Sequence, residues 1–219
     1  VSKFRFAFIL GAAIFVLMGC VGGSSPEEKM YNVLEETVSK EGQYVEVQKP
    51  LQELEEKEKE IYTKIMDLGM KEFDQIVKLS DEALDNIKKR KEFIDQERTS
   101  MSEAEEEFAK ADEYVDKLES QELKKEAEKL KKTMEERYQL HEKLTSSYLE
   151  VLSLDKELYN MFKKKELTME ELEKQISSIN DQYEKIVNYN EEYNKKTEEF
   201  NNLKQKFYSS AGLDVKDSE

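Results

Sequence analysis

The chain has 219 residues, of which 39% are charged and 37% hydrophobic, and a formal net charge of −15. An excess of acid this large excludes nucleic acid as a partner, because phosphates would be repelled. High charge also raises disorder as an alternative, but sustained apolar periodicity along the chain argues for folded helices.

The first twenty residues, VSKFRFAFILGAAIFVLMGC, carry the basic pair Lys3 and Arg5, an apolar run from Phe6 to Met18, and the single cysteine of the sequence. The run is shorter than the ~20 residues a spanning helix needs, and reads as a signal segment. Leu17-Met18-Gly19-Cys20 resembles the lipobox of bacterial lipoproteins. That resemblance implies cleavage between Gly19 and Cys20 and a diacylglycerol thioether on the Cys20 sulfur. Met18 departs from it, since the position is more often small. Loss of Lys3 and Arg5 with the signal takes the remaining chain to −17. No thiol remains after Cys20, so no disulfide forms within the chain. The expected organisation is a signal peptide over 1–19, a lipidated Cys20 with a tether over 20–25, a helical bundle over 26–212 and a tail over 213–219.

Ser25-Pro26-Glu27-Glu28 reads as a helix start, with Ser25 as cap, Pro26 at the first helical position and Glu28 closing a capping box. From there the spacing predicts helix 1 over about 26–68, kinked at Pro50, which lacks a backbone donor. Gly69 is the turn signal that ends it. Helix 2 follows to about Leu118, with Phe73, Ile87, Ile94, Met101, Phe108 and Val115 recurring at sevens. Glu119-Ser120 is the next turn. Helix 3 covers about 121–164, with Leu123, Leu130, Leu144, Val151 and Leu158 on one heptad position. Ala127, Met134, Tyr148 and Phe162 hold the other. Helix 4 has the clearest start: Thr168 and Glu171 form a capping box, and Leu167 and Leu172 a hydrophobic staple. Its seam runs Leu172, Ile179, Ile186, Tyr193, Phe200 and Phe207, and Gly212 lies just past its end.

Strict sevens indicate left-handed, coiled-coil-like packing. Four long helices joined by short turns favour an all-α, elongated, antiparallel up-and-down four-helix bundle. The alternative is a three-helix, spectrin-like rod with one helix broken at Pro50 or Ser80. Sevens also serve intermolecular coiled coils, so the oligomeric state stays open.

The stretches SPEEKMYNVLEETVSKE, LQELEEKEKEIYTKIMDLGMKEFDQIVKLSDEAL and LDKELYNMFKKKELTMEELEKQI resemble the YkyA-type cell-wall-binding lipoproteins of Gram-positive bacteria. The resemblance covers nearly the whole chain after Cys20. It implies an exported, lipid-anchored, all-helical protein on the outer face of the cell membrane. It carries over no catalytic motif, and Cys20 is the one residue whose role transfers.

His141, the single histidine, sits at a core heptad position between Met134 and Tyr148. A fold-back near residue 166 brings it within about one turn of Asn190 and Tyr193 on helix 4. The expectation is a buried polar layer of His141 and Asn190 that fixes register. A di-iron site is excluded by the lack of a second histidine and of a Glu three residues before His141. Ser153-Leu154-Asp155-Lys156 matches the S-x-x-K pattern of penicillin-binding enzymes, but neither S-D-N nor K-T-G occurs. Catalytic residues, metal and cofactors are therefore not expected, apart from the covalent diacylglycerol. Lys163-Lys164-Lys165 is a compact basic cluster beside a predicted turn. It suits a helix C-terminus, and at the outward end of an anchored rod it is a candidate contact for anionic wall polymer. The favoured function is a non-enzymatic envelope protein that binds wall polymer or envelope proteins. A wall-active enzyme lacks its motifs, and a solute-binding lipoprotein would need strands that the sequence does not predict.

Overall fold

A computed structural model describes residues 24–68 and 72–213. Six helices are present among them: α1 (Pro26–Lys40), α2 (Gly42–Asp67), α3 (Phe73–Phe108), α4 (Ala111–Val115), α5 (Gln121–Phe162) and α6 (Met169–Ser210). They form four antiparallel columns, α1–α2, α3–α4, α5 and α6, as the sequence predicts. Column α1–α2 packs along α3–α4, α3 along α5, and α5 along α6. At about 1.5 Å per residue, α5 and α6 are each roughly 63 Å long.

The predicted caps are in place. Ser25 Oγ accepts from the Glu28 amide at 3.2 Å, and Glu28 Oε2 accepts from the Ser25 amide at 3.1 Å. Thr168 and Glu171 form the same reciprocal pair at the start of α6. At its end Gly212 adopts φ +66°, a left-handed conformation that glycine reaches without penalty. The amides of Gly212 and Leu213 then reach the carbonyls of Ser209 and Tyr208, a Schellman closure.

Two breaks differ from the sequence expectation. Helix 1 is interrupted at Glu41, and α2 continues through Pro50, where the sequence predicts a kink. Glu41 is buried, its carboxylate reaches Arg137 across the bundle, and Gly42, a poor helix former, follows it. Burial of Val47 and Leu51 on either side holds α2 together across the proline. Helix 2 is interrupted at Ala109 and Lys110, leaving α4 as a single short turn packed against α1. Ser80 lies buried inside α3, where it donates to the Ile76 carbonyl, and no break occurs there. Gly69 lies outside the described residues.

The seam of α6 is buried at every predicted seventh residue from Leu172 to Phe207. The core divides lengthwise. One half is centred on Met30, Leu34, Ala104, Leu130 and Phe207, near the chain ends. The other is centred on Ile65, Ile87, Val151, Leu158 and Ile179, toward the 68–72 and 163–168 connections. Charged side chains lie between and within these halves.

Candidate functional site

Two of the three arginines among the described residues are buried, Arg90 at 0% exposure and Arg137 at 1%. Both occupy core heptad positions, seven residues from neighbours that pack inward: Arg137 between Leu130 and Leu144, Arg90 between Ala83 and Glu97. A buried guanidinium is costly unless its fork of donors is satisfied. Arg137 meets that condition. Its two terminal nitrogens donate to Glu41 Oε1 at 2.6 Å and Oε2 at 2.8 Å. One also donates to the Tyr193 hydroxyl at 2.6 Å, and Nε donates to Thr197 at 2.9 Å. The guanidinium lies 4.8 Å from the centre of the Tyr193 ring. Three columns are thereby joined at one level.

One turn along α5, the imidazole of His141 donates from Nε2 to Glu97 Oε1 at 2.8 Å. The other carboxylate oxygen of Glu97 accepts from Gln48 Nε2 at 3.0 Å. The His141 ring packs 5.8 Å from both Tyr44 and Tyr193. Nearby, Ser100 donates to the Lys40 carbonyl at 2.6 Å, which stitches α3 to the α1–α2 break.

The Arg90 layer is looser. Nε donates to the Tyr148 hydroxyl at 2.9 Å, and that hydroxyl donates onward to Glu55 at 2.5 Å. Burial pushes the Tyr148 phenol well above its usual range, so it stays neutral and can serve as this relay. The two terminal nitrogens of Arg90 stand at ion-pair distance, 3.9 Å from Glu55 and 3.6 Å from Asp155. Burial pushes the Asp155 carboxyl up to about 7. Arg90 opposes that shift, while Glu58 and Glu55 add to it.

Between the two layers lies a cavity of about 290 Å³. Leu51, Ile94, Leu144 and Ile186 supply apolar wall; Gln48, Glu55, Glu97, Thr145, Tyr148 and Asn190 supply polar groups. Val45, Lys49 and Gln52 form its exposed lip. Pro50 sits in the α2 stretch that lines it and removes the backbone bond to the Glu46 carbonyl. The inward line of the first column is polar over three successive sevens, Glu41, Gln48 and Glu55. Each of them bonds a buried group from another column.

Residues 25–210 match the family described as "Putative cell-wall binding lipoprotein", YkyA. The chain belongs to that family. It is 37% identical over 94 residues to the "Uncharacterized lipoprotein YkyA" of Bacillus subtilis (strain 168). That alignment spans 43% of this chain and 42% of the relative, so the chain matches about two fifths of the relative's length. The fold is also similar to a crystal structure of a conserved protein of unknown function from Staphylococcus aureus. The TM-score is 0.64 at 19% identity, covering 85% of this chain and 97% of that one. At that identity the likeness concerns the fold alone.

Gly19 and Cys20, where a YkyA-type lipoprotein would be cleaved and lipidated, lie outside the described residues. Among the described residues, no helix is long and apolar enough to cross a membrane, and no cluster of three or more His, Cys, Asp or Glu could hold a metal. His141 is buried, and its polar partner is Glu97. Asn190 is half-buried at the cavity, where its Oδ1 accepts from Asn194 at 2.8 Å. The predicted fold-back does bring His141 against Tyr193. Lys163 donates to Asp81 at 2.6 Å, Lys165 lies 5.4 Å over the Phe73 ring, and Lys164 is exposed. Ser153 is exposed on α5.

Arg90, Glu97, Arg137 and Asp155 were absent from the sequence-derived candidates. Each sits where a run of sevens calls for an apolar residue, and those interruptions were the available signal. So was arginine in a chain whose basic residues are nearly all lysine.

Proposed function

We propose that the protein is a lipid-anchored, non-enzymatic component of a Gram-positive cell envelope whose helical rod contacts wall polymer or envelope proteins. The observation that carries this reading is the family match over residues 25–210, preceded in sequence by Leu17-Met18-Gly19-Cys20. In this reading the Gly19–Cys20 bond is cut and Cys20 carries a diacylglycerol, so the protein sits on the outer face of the cell membrane. Few residues separate Cys20 from Pro26, which holds the rod close to the bilayer.

In this reading the anchor also gives the rod a direction. Ser25, Ser120 and Ala211 lie at the membrane-proximal end, and the connections after Asp67 and Phe162 lie roughly 60 Å away. Flanks with a large acidic excess repel anionic polymer, though screening limits this to about 8 Å at physiological salt. The contact is therefore assigned to the distal lysines, Lys163, Lys164 and Lys165. Lys164 is the most available of them, because Lys163 is held by Asp81 and Lys165 by the Phe73 ring.

Fractionation of cells producing three variants tests both halves of the proposal. Cys20→Ala should release the protein from the membrane. Lys164→Glu should lower its retention on purified wall, and reversal of all three lysines should lower it further. Membrane retention of the Cys20 variant would overturn the anchor, and unchanged wall retention of the triple variant would overturn the distal contact.

A further inference from the structure

The cavity between the arginine layers has a chemistry that wall contact at the distal end does not use. Its two ends present carboxylates, Glu97 on one side and Glu55 on the other. A carboxylate has about four acceptor positions. The hydrogen bonds to Glu97 from His141 and Gln48, and to Glu55 from Tyr148, leave acceptor positions open. Arg90 is shared between Glu55 and Asp155, so it does not neutralise that end. The cation nearest the opening, Lys49, stands exposed at the lip. Between the two ends the wall is aliphatic, from Leu51, Ile94, Leu144 and Ile186.

We propose that this cavity binds a short aliphatic diamine, with one ammonium at Glu97, the other at Glu55, and the methylene chain along the apolar wall between them. Gln48, which bonds Glu97, and Glu55 are seven residues apart on α2, about 10.5 Å along the axis. A charge-assisted N–H···O contact of about 2.8 Å at each end leaves roughly 5 Å between the two nitrogens, a chain of about three carbons. A cavity of about 290 Å³ lies at the small end of ligand sites, which suits such a chain and excludes larger amphiphiles. The acidic excess of the whole chain draws a dication and repels an anion.

Calorimetric titration of the full-length chain in micelles of an uncharged detergent, with 1,3-diaminopropane and 1-aminopropane at about 0.15 M salt, tests the proposal. The diamine should bind saturably at one site per chain, and the monoamine at least tenfold more weakly. Glu97→Gln and Glu55→Gln should each weaken the diamine about tenfold or more and remove most of its advantage over the monoamine. Asn190→Phe fills the cavity from α6 and leaves both carboxylates in place, so it should abolish binding. No saturable heat, equal binding of the two amines, or unchanged affinity in the Asn190 variant would each overturn the assignment. If a glutamate variant loses its cooperative melt, the diamine-to-monoamine ratio and the Asn190 variant still decide the matter. Wall retention plays no part in this assay, so its outcome is independent of the distal lysines.

Discussion

Arg137→Ala is the sharpest perturbation of this bundle. In the native protein the guanidinium makes four short polar contacts, two of them to Glu41, with both side chains almost wholly buried. Truncation leaves the Glu41 carboxylate inside the bundle with its main counter-charge gone. Breaking a buried pair in this way costs about 3–5 kcal/mol. For a protein of this length, each kcal/mol moves Tm by roughly 2–4 °C, so the melt should fall by about 6–20 °C. Removing both charges at once should behave differently. Glu41→Met combined with Arg137→Met fills the same space without a stranded ion, and such replacements are often neutral or stabilising. The double variant should therefore melt within a few degrees of the parent. The assay is a denaturant and thermal melt followed by circular dichroism on Arg137→Ala, on Glu41→Met and Arg137→Met singly, and on the Met pair. Arg98→Ala, at a half-buried position outside both layers, serves as the control and should fall within about 0.5 kcal/mol of the parent. A cost below about 1 kcal/mol for Arg137→Ala, or single-variant costs that simply add in the pair, would refute the reasoning.

Asp155 makes stability pH-dependent in the opposite direction to an ordinary paired carboxylate. Its folded pKa of about 7 exceeds the 3.8 of the free side chain, so the native state binds the extra proton. The contribution is fully present below about pH 4 and is lost as pH rises through about 7. Asp155→Asn should flatten that decline, seen as a variant-minus-parent Tm difference that grows between pH 4 and pH 8; a difference independent of pH would refute it. His141→Leu should destabilise by about 1–3 kcal/mol, because Glu97 loses one of its two donors while remaining buried. An equal or higher denaturant midpoint would contradict this. Thr168→Ala removes the hydroxyl that accepts from the Glu171 amide and should cost about 1 kcal/mol in the same denaturant titration.

The legible part of this fold is the part written locally. The sevens of α6 from Leu172 to Phe207, the two capping boxes and the glycine at 212 each state their structure within one turn or one seam, and each appears as predicted. The break at Glu41 had one local sign, Gly42, a poor helix former at the start of α2. The pairing of Glu41 with Arg137, 96 residues away, had none. At Pro50 the helix continues, with Val47 and Leu51 buried on either side of the lost hydrogen bond. The polar layers were hidden for a related reason. A heptad reading ranks positions by apolarity, so Arg90, Glu97, Arg137 and Asp155 registered as gaps in a seam. They become intelligible only when the partners on other columns are known. His141 illustrates the half-way case: its burial and its proximity to Tyr193 followed from heptad position and fold-back, but its carboxylate partner came from α3, which pairwise reasoning about helices 3 and 4 did not include.

The two layers also differ in a way that bears on what the rod can do. Around Arg137, bidentate geometry and neighbouring hydroxyls satisfy nearly every donor, so that level fixes the register of α1, α5 and α6. Around Arg90, two carboxylates compete for nitrogens they do not reach at hydrogen-bond distance, and Asp155 is poised to hold a proton. A level whose charges are incompletely paired has more to gain from an added cation than one that is saturated. The cavity lies against that looser level, and Glu55 belongs to both. An ammonium at Glu55 would draw the carboxylate away from Arg90 and leave the guanidinium to Asp155. Ligand binding and the titration of Asp155 should therefore be linked: an ionised Asp155 takes over the pairing of Arg90 as Glu55 turns to the ammonium. Diamine affinity should accordingly rise between about pH 6 and pH 8 in the parent. In Asp155→Asn the affinity should lose that rise. A parallel pH profile in parent and variant would show that the layer and the cavity act separately.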